Sequence, residues 1–127
     1  MKIVVDSDVI IDVIRNVQTS VDLLKELIKE NELFISGITE AEIFSGKDME
    51  NENKKQKLLR FLSFFQKVNP NNEILQKAGE FKRKYNIPLL DCIIAATASC
   101  IDAELLTRNE KDFSKIEEIK LFKGSKI

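Results

Sequence analysis

Several acidic residues of this chain stand just behind its apolar runs. Asp6 and Asp8 follow Ile3-Val4-Val5, Glu42 comes shortly after Leu33-Phe34-Ile35, Asn109 and Asp112 follow Leu105-Leu106, and Asp91 stands behind Pro88 at the head of a long apolar segment. Carboxylates that converge on one point repel one another, so such a group is stable only around a cation. Oxygen-only ligands select a hard divalent ion, Mg²⁺ or Mn²⁺. The chain contains no histidine, which excludes the Ser-His-Asp triad, the Cys-His dyad, imidazole acid–base chemistry and any His-containing zinc site. Catalysis, if present, rests on carboxylates, lysines or thiols.

Taken singly, each of these residues also fits a structural role. Thr39 and Glu42 match a capping box, in which Thr39 caps a helix and Glu42 reaches back to the backbone. Asn109 and Asp112 fit a similar pattern, Asp91 complements a helix dipole, and Asp8 reads as an N-cap. Asp6 is the hardest to place this way, because a carboxylate at the end of a buried strand needs a partner to offset its desolvation.

The elements that must position these residues alternate. Ile3–Val5 is an apolar β-branched run suited to a strand buried on both faces. Helical spacing then predicts helices over Val9–Ile14 and Val21–Ile28, a second strand over Leu33–Ile35, and a helix opened by Thr39 and closed near Gly46. The charged stretch Lys47–Lys57 reads as the solvated start of a long helix that continues through Leu58, Leu59, Phe61, Leu62, Phe64 and Phe65. These six side chains exceed what one apolar stripe buries, so some of them meet another chain or a wrapping element. A brief strand at Val68, a helix over Ile74–Tyr85 stopped by Pro88, a buried helix over Leu90–Ala103, a strand at Leu105-Leu106, a helical turn over Glu110–Phe113 and a last strand over Lys120–Phe122 complete the pattern. Strands alternating with helices predict an α/β fold with a central, mainly parallel sheet of about five short strands and helices on both faces.

The chain's 127 residues suit one domain spanning 1–127. With 20 basic and 21 acidic residues it has no overall basic footprint, so a nucleic-acid partner needs a local patch. Cys92 and Cys100 lie about 12 Å apart along a helix axis, too far for a disulfide. A reduced, cytoplasmic setting is expected. No apolar stretch reaches membrane-spanning length, and nothing resembles a signal peptide.

Four segments together resemble the signatures of PIN-domain ribonucleases, closest to the VapC-type toxins of prokaryotic toxin–antitoxin pairs: Val4–Asp12, Ile38–Gly46, Leu90–Ala98 and Leu105–Phe113. The resemblance runs over nearly the whole chain. It implies a PIN-like fold and an Mg²⁺- or Mn²⁺-dependent endoribonuclease, with Asp6, Glu42 and Asp91 as metal-binding carboxylates. At the fourth position many relatives have Asp where this chain has Asn109, whereas others pair Asn with an acidic residue three positions on. Both Asn109 and Asp112 therefore enter the expected site, with Asp112 supplying the charge. Asp8 departs from the Ser, Thr or Asn often found there, and is either an extra ligand or a cap.

The expected reaction is hydrolysis of RNA phosphodiesters by metal-activated water. Ser7, Thr107, Arg108, Arg15 and Lys111 are the expected substrate-binding residues, with Lys82, Arg83 and Lys84 as a more distant basic patch. The resemblance also implies a homodimer and a cognate antitoxin protein. Two other readings compete: a haloacid-dehalogenase-type phosphatase using Asp6 as nucleophile, and an inert PIN-like module that binds RNA or protein.

Overall fold

Ile3, Val4 and Val5 are wholly shielded from solvent and form β1 (Lys2–Val5), the central strand of the computed structural model, which describes residues 1–123. The last four residues of the expected 1–127 domain lie outside the described residues. Beside β1 stand β2 (Glu32–Ser36) and β4 (Glu104–Leu106), with β3 (Gln66–Val68) beyond β2 and β5 (Lys120–Leu121) beyond β4, in the order β3-β2-β1-β4-β5. Every pairing is parallel, and Val4 sits opposite Phe34 on one side and Leu105 on the other. This is the expected five-stranded α/β sheet.

The helices are α1 (Ser7–Ile14), α2 (Gln18–Glu30), α3 (Gly37–Phe44), α4 (Glu52–Leu62), α5 (Asn72–Tyr85), α6 (Leu89–Cys100) and α7 (Glu110–Phe113). Strand side chains alternate between two apolar layers, as the period of two requires. Ile3, Val5, Leu33, Ile35 and Leu106 join α1, α2, Ile43 of α3 and Leu58 of α4 in one layer. Val4, Phe34 and Leu105 join α5, α6 and Phe113 of α7 in the other. Each such side chain, once buried, stabilises the fold by about 1.5–3 kcal/mol.

From β1 the chain winds outward through β2 to β3, then returns across the sheet to β4 and winds the other way to β5. The direction reverses between β1 and β4, and in open parallel sheets ligands bind in the crevice beyond the carboxyl ends of the strands at that point. Asp6 directly follows β1, and Thr107 directly follows β4.

Several boundaries differ from the sequence expectation, among them the end of the buried helix at Cys100 and not Ala103, and those of the middle of the chain have a local reason. The single long helix through the charged stretch is instead a 3₁₀ turn (Lys47–Glu50) followed by α4, because the Asn51 side chain accepts from the Lys54 N–H at 3.0 Å and restarts the helix. Helix α4 then stops at Leu62, so Phe64 and Phe65 lie in the following turn. Helix α5 ends at Tyr85 as expected, but its stop is Asn86 and not Pro88: Asn86 adopts the left-handed conformation (φ 54°) and returns its N–H to the Lys82 carbonyl.

Two substitutions test this account in urea melts. Phe81, fully buried in the α5–α6 layer, should lose about 3–5 kcal/mol on Phe81→Ala. Asn86→Ala should lose about 1 kcal/mol, and Asn86→Gly should hold or gain stability, because only the Cβ opposes the left-handed conformation there.

Candidate active site

Asp6 is 5% exposed and caps the N-terminus of α1. Its backbone N–H donates to the Leu106 carbonyl at 2.9 Å, extending the β1–β4 ladder by one residue. Its Oδ1 accepts the Ser7 N–H at 2.7 Å, and its Oδ2 accepts the Thr107 hydroxyl at 2.7 Å. Burial pushes the Asp6 carboxyl above its ordinary range, the Thr107 and Ser7 bonds pull it back, and the charge of Glu42 pushes it up again.

The Ser7 hydroxyl donates to Glu42 Oε1 at 2.6 Å, and Ser7 Oγ lies 3.2 Å from Thr39 Oγ1. The expected capping box is therefore absent. Ser36, at the end of β2, takes the cap of α3 by accepting the Ile38 N–H, and Thr39 is buried inside the helix. With the cap supplied one turn earlier, Glu42 is free to face Ser7 across the crevice.

Asp8 likewise does not cap α1. It accepts the backbone N–H of Arg108 on Oδ2 at 3.2 Å, and burial together with the Asp6 charge pushes it up to about 7. Asp91, in the first turn of α6, is pushed up to about 6 by burial and then by the charges of Asp6, Glu42 and Asp112. Asn109 makes no capping bond with its side chain; its Nδ2 donates to Asp112 Oδ2 at 3.2 Å, while its N–H is taken by Thr107 Oγ1 at 2.9 Å.

The fold thus sets Asp91 within range of the charges of Asp6, Glu42 and Asp112, and Asp6 within range of Glu42, with Asn109 held against Asp112. As the side chains stand, no three acidic residues among the described residues form a group that could hold a metal ion. Both Asp6 oxygens and Glu42 Oε1 are instead engaged by Ser7 and Thr107.

Of the basic residues, Arg108 lies at the site and Arg15 does not. Arg15 follows α1 about 10 Å along its axis from Asp8, where it pairs with Asp48 at 3.2 Å. Lys111 sits exposed on α7 between Asn109 and Asp112 in sequence. Lys84 pairs with Glu118 and Lys82 with Asn86, at the end of α5. Sequence spacing passed over Asp12, whose carboxylate receives Arg108 Nη1 at 2.8 Å. Its signal was the i, i+4 relation to Asp8, which places both on one face of α1.

A family model described as the PIN domain matches residues 3–119. Ribonuclease VapC10 of Mycobacterium tuberculosis is 35% identical over 124 residues, covering 93% of this chain and 90% of that protein. Among solved structures, VapBC2 from Rickettsia felis bound to a promoter DNA fragment superposes with a TM-score of 0.83 at 25% identity, over 96% of this chain and 98% of that one. A toxin–antitoxin complex from Klebsiella pneumoniae gives 0.79 at 28% identity, over 91% and 93%.

The raised carboxyls carry a definite pH dependence for the metal-free protein. A proton on Asp8 or Asp91 is held more tightly in the folded chain than at the ordinary value of 3.8, so between these limits the folded state binds more protons and stability falls as pH rises. In EDTA the melting temperature should therefore drop from about pH 4 to pH 7, most steeply near pH 5, and level off above the folded values of about 6 and 7, and Asp8→Asn should flatten the profile. A melting temperature that climbs over this window would refute the assignment.

Proposed function

The chain belongs to the PIN-domain family, and on that premise we propose that it is a divalent-metal-dependent endoribonuclease, the toxin of a toxin–antitoxin pair. The observation that carries the reading is the convergence of Asp6, Glu42, Asp91 and Asp112 at the crevice between β1 and β4, where Ser7 bridges Asp6 to Glu42 and the charges of Asp6, Glu42 and Asp112 all bear on Asp91. An all-oxygen donor set of mutually repelling carboxylates fits Mg²⁺ or Mn²⁺. These four, with the Asn109 carbonyl oxygen, are the residues that would hold it. When bound, such an ion lowers the pKa of water and neutralises charge on a phosphodiester.

The protein's own part is orientation. Ser7 and Thr107 hold the two oxygens of Asp6 in fixed directions, and the Ser7 hydroxyl aims Glu42 into the same space. Thr107 also accepts the Asn109 N–H, which sets the turn presenting Asn109 and Asp112. Arg108 and Lys111 bring positive charge to the rim for an RNA backbone. The name of the mycobacterial relative supports RNA as the substrate. The family match over residues 3–119 weighs against a haloacid-dehalogenase-type phosphatase.

The antitoxin has a matching surface. Helices α1, α2 and α4 border an apolar groove of about 500 Å³ lined by Val13, Val21, Leu24, Ile28, Phe61 and Phe64. Phe65, which the sequence grouped with these rings, is instead 9% exposed and packs edge-on against Phe61 at 5.1 Å. Phe64 is 62% exposed, so it is the ring offered to a partner. Toxin–antitoxin complexes among the structural relatives support an antitoxin segment as the occupant. A homodimer, the other proposed assembly, would cover apolar side chains such as Leu89 and Leu90 that are exposed at the start of α6. No helix among the described residues is long and apolar enough to cross a membrane.

Asp6→Asn, Glu42→Gln and Asp91→Asn should each lower Mg²⁺-dependent RNA cleavage by at least ~100-fold while leaving the far-ultraviolet circular dichroism unchanged. Near-native cleavage in two of these three folded variants would return the chain to an inert binding module. Separately, Phe64→Ser should weaken the complex with the antitoxin encoded beside this gene by ~10-fold or more without lowering the melting temperature, since exposed aromatics at an interface often dominate binding. Phe65→Ser should do the opposite, destabilising the free chain.

A further inference from the structure

Arg108 leaves β4 and spans the crevice to α1. Its Nη1 stands 2.8 and 2.9 Å from the two carboxylate oxygens of Asp12, and its backbone N–H donates to Asp8. The Asp12 side chain is only 10% exposed. It is braced from behind by the Ser20 hydroxyl, which donates to Oδ2 at 3.1 Å, and its carbonyl accepts the Val17 N–H at 2.9 Å. The carboxylate is therefore fixed to both α1 and the start of α2.

The guanidinium itself is half exposed, and among the described residues its Nε and Nη2 meet no acceptor. Asp12 occupies one nitrogen and leaves the adjoining pair of donors without a protein acceptor among the described residues. Two such donors in a planar fork match two oxygens of a phosphate. Arg15, the other arginine of the expected set, uses its Nε on Asp48 at the far end of α1 and offers no comparable fork at the site.

Building on the ribonuclease reading, we infer that Arg108 is a phosphate clamp for the RNA strand, and that Asp12, braced by Ser20, is the positioning residue that holds the clamp open. A long cationic side chain beside several carboxylates would otherwise collapse among them and compete with a metal for the same negative potential. Pairing with a buried carboxylate outside the cluster prevents that collapse. Holding the side chain in one geometry before RNA arrives also removes part of the ordering cost of binding.

The test uses a short fluorescein-labelled single-stranded RNA, titrated by anisotropy with Ca²⁺ in place of Mg²⁺ at several salt concentrations. Arg108→Gln keeps a donor for Asp12 but loses the charge. It should weaken binding about 10-fold and reduce the slope of log K against log salt by about 0.7, one single-strand phosphate. Arg108→Lys should recover the slope but not the full affinity. Asp12→Asn should weaken binding about 3- to 10-fold, leave the slope intact and add nothing in the Arg108→Gln background. Ser20→Ala, which loosens Asp12 without touching Arg108, should shift affinity in the same direction.

In Mg²⁺ cleavage assays Arg108→Gln and Asp12→Asn should raise KM and leave kcat within about 3-fold of wild type, if their effect lies in phosphate binding shared by ground and transition states. Unchanged affinity and slope in Arg108→Gln, or an Asp12→Asn effect of equal size in both backgrounds, overturns the clamp. A wild-type chain that binds no RNA overturns it too. A chain that shows the binding pattern but cleaves no RNA in Mg²⁺ overturns the ribonuclease reading and leaves the clamp standing.

Discussion

A carboxylate buried at the end of a central strand must be satisfied before the sheet around it can close, and in this chain that carboxylate is Asp6. Its N–H extends the β1–β4 ladder, one oxygen starts α1 through the Ser7 N–H, and the other takes the Thr107 hydroxyl as the chain leaves β4. Strand, helix and neighbouring strand therefore meet at a single side chain. The same bonds continue outward: Ser7 passes its hydroxyl to Glu42, and Thr107 accepts the Asn109 N–H, with Asn109 in turn donating to Asp112. One hydrogen-bonded chain thus runs from α3 to α7, and it places most of the acidic residues that converge at the crevice.

This convergence opposes folding. Burial and like charge both raise the proton affinity of Asp6, Asp8 and Asp91, which marks a set of groups held together by forces other than their own attraction. Those forces are the two apolar layers on either side of the sheet, in which Ile3, Val4 and Val5 are completely buried. A site that violates local electrostatic preference while the surrounding core satisfies every other rule is what a functional crevice in a stable scaffold looks like. Two acidic residues at this edge have a cation of their own: Asp12 pairs with Arg108, and Asp112 with Lys115 at 3.7 Å.

Helix ends decide how the rest is shared between core and surface. Ser36 caps α3 and releases Glu42 from a purely structural role. Asn51 restarts the chain as α4, and the early end of that helix sends Phe65 inward against Phe61 while Phe64 stays out. Small polar side chains at these two boundaries thereby select which carboxylate reaches the crevice and which aromatic ring remains for a partner.

Periodicity alone was enough to read the α/β class, the parallel sheet and nearly every element, because strands buried on both faces leave continuous apolar runs and helices leave a stripe of period near 3.6. The acidic residues were legible for a related reason: in a parallel sheet the ends of the strands share one edge, so residues such as Asp6, Asp112 and Glu42 that follow separate apolar runs end near one another. The sequence could not tell a capping box from a site carboxylate at Thr39 and Glu42, since the choice depended on whether Ser36 reached the Ile38 N–H first. Nor could it separate Arg108 from Arg15, two basic residues of similar local setting. Only the tertiary fold, by bringing the exit of β4 against α1 across 96 residues of sequence, set Arg108 on Asp12 and left Arg15 to Asp48, because contacts between distant segments carry no periodic trace in either segment alone.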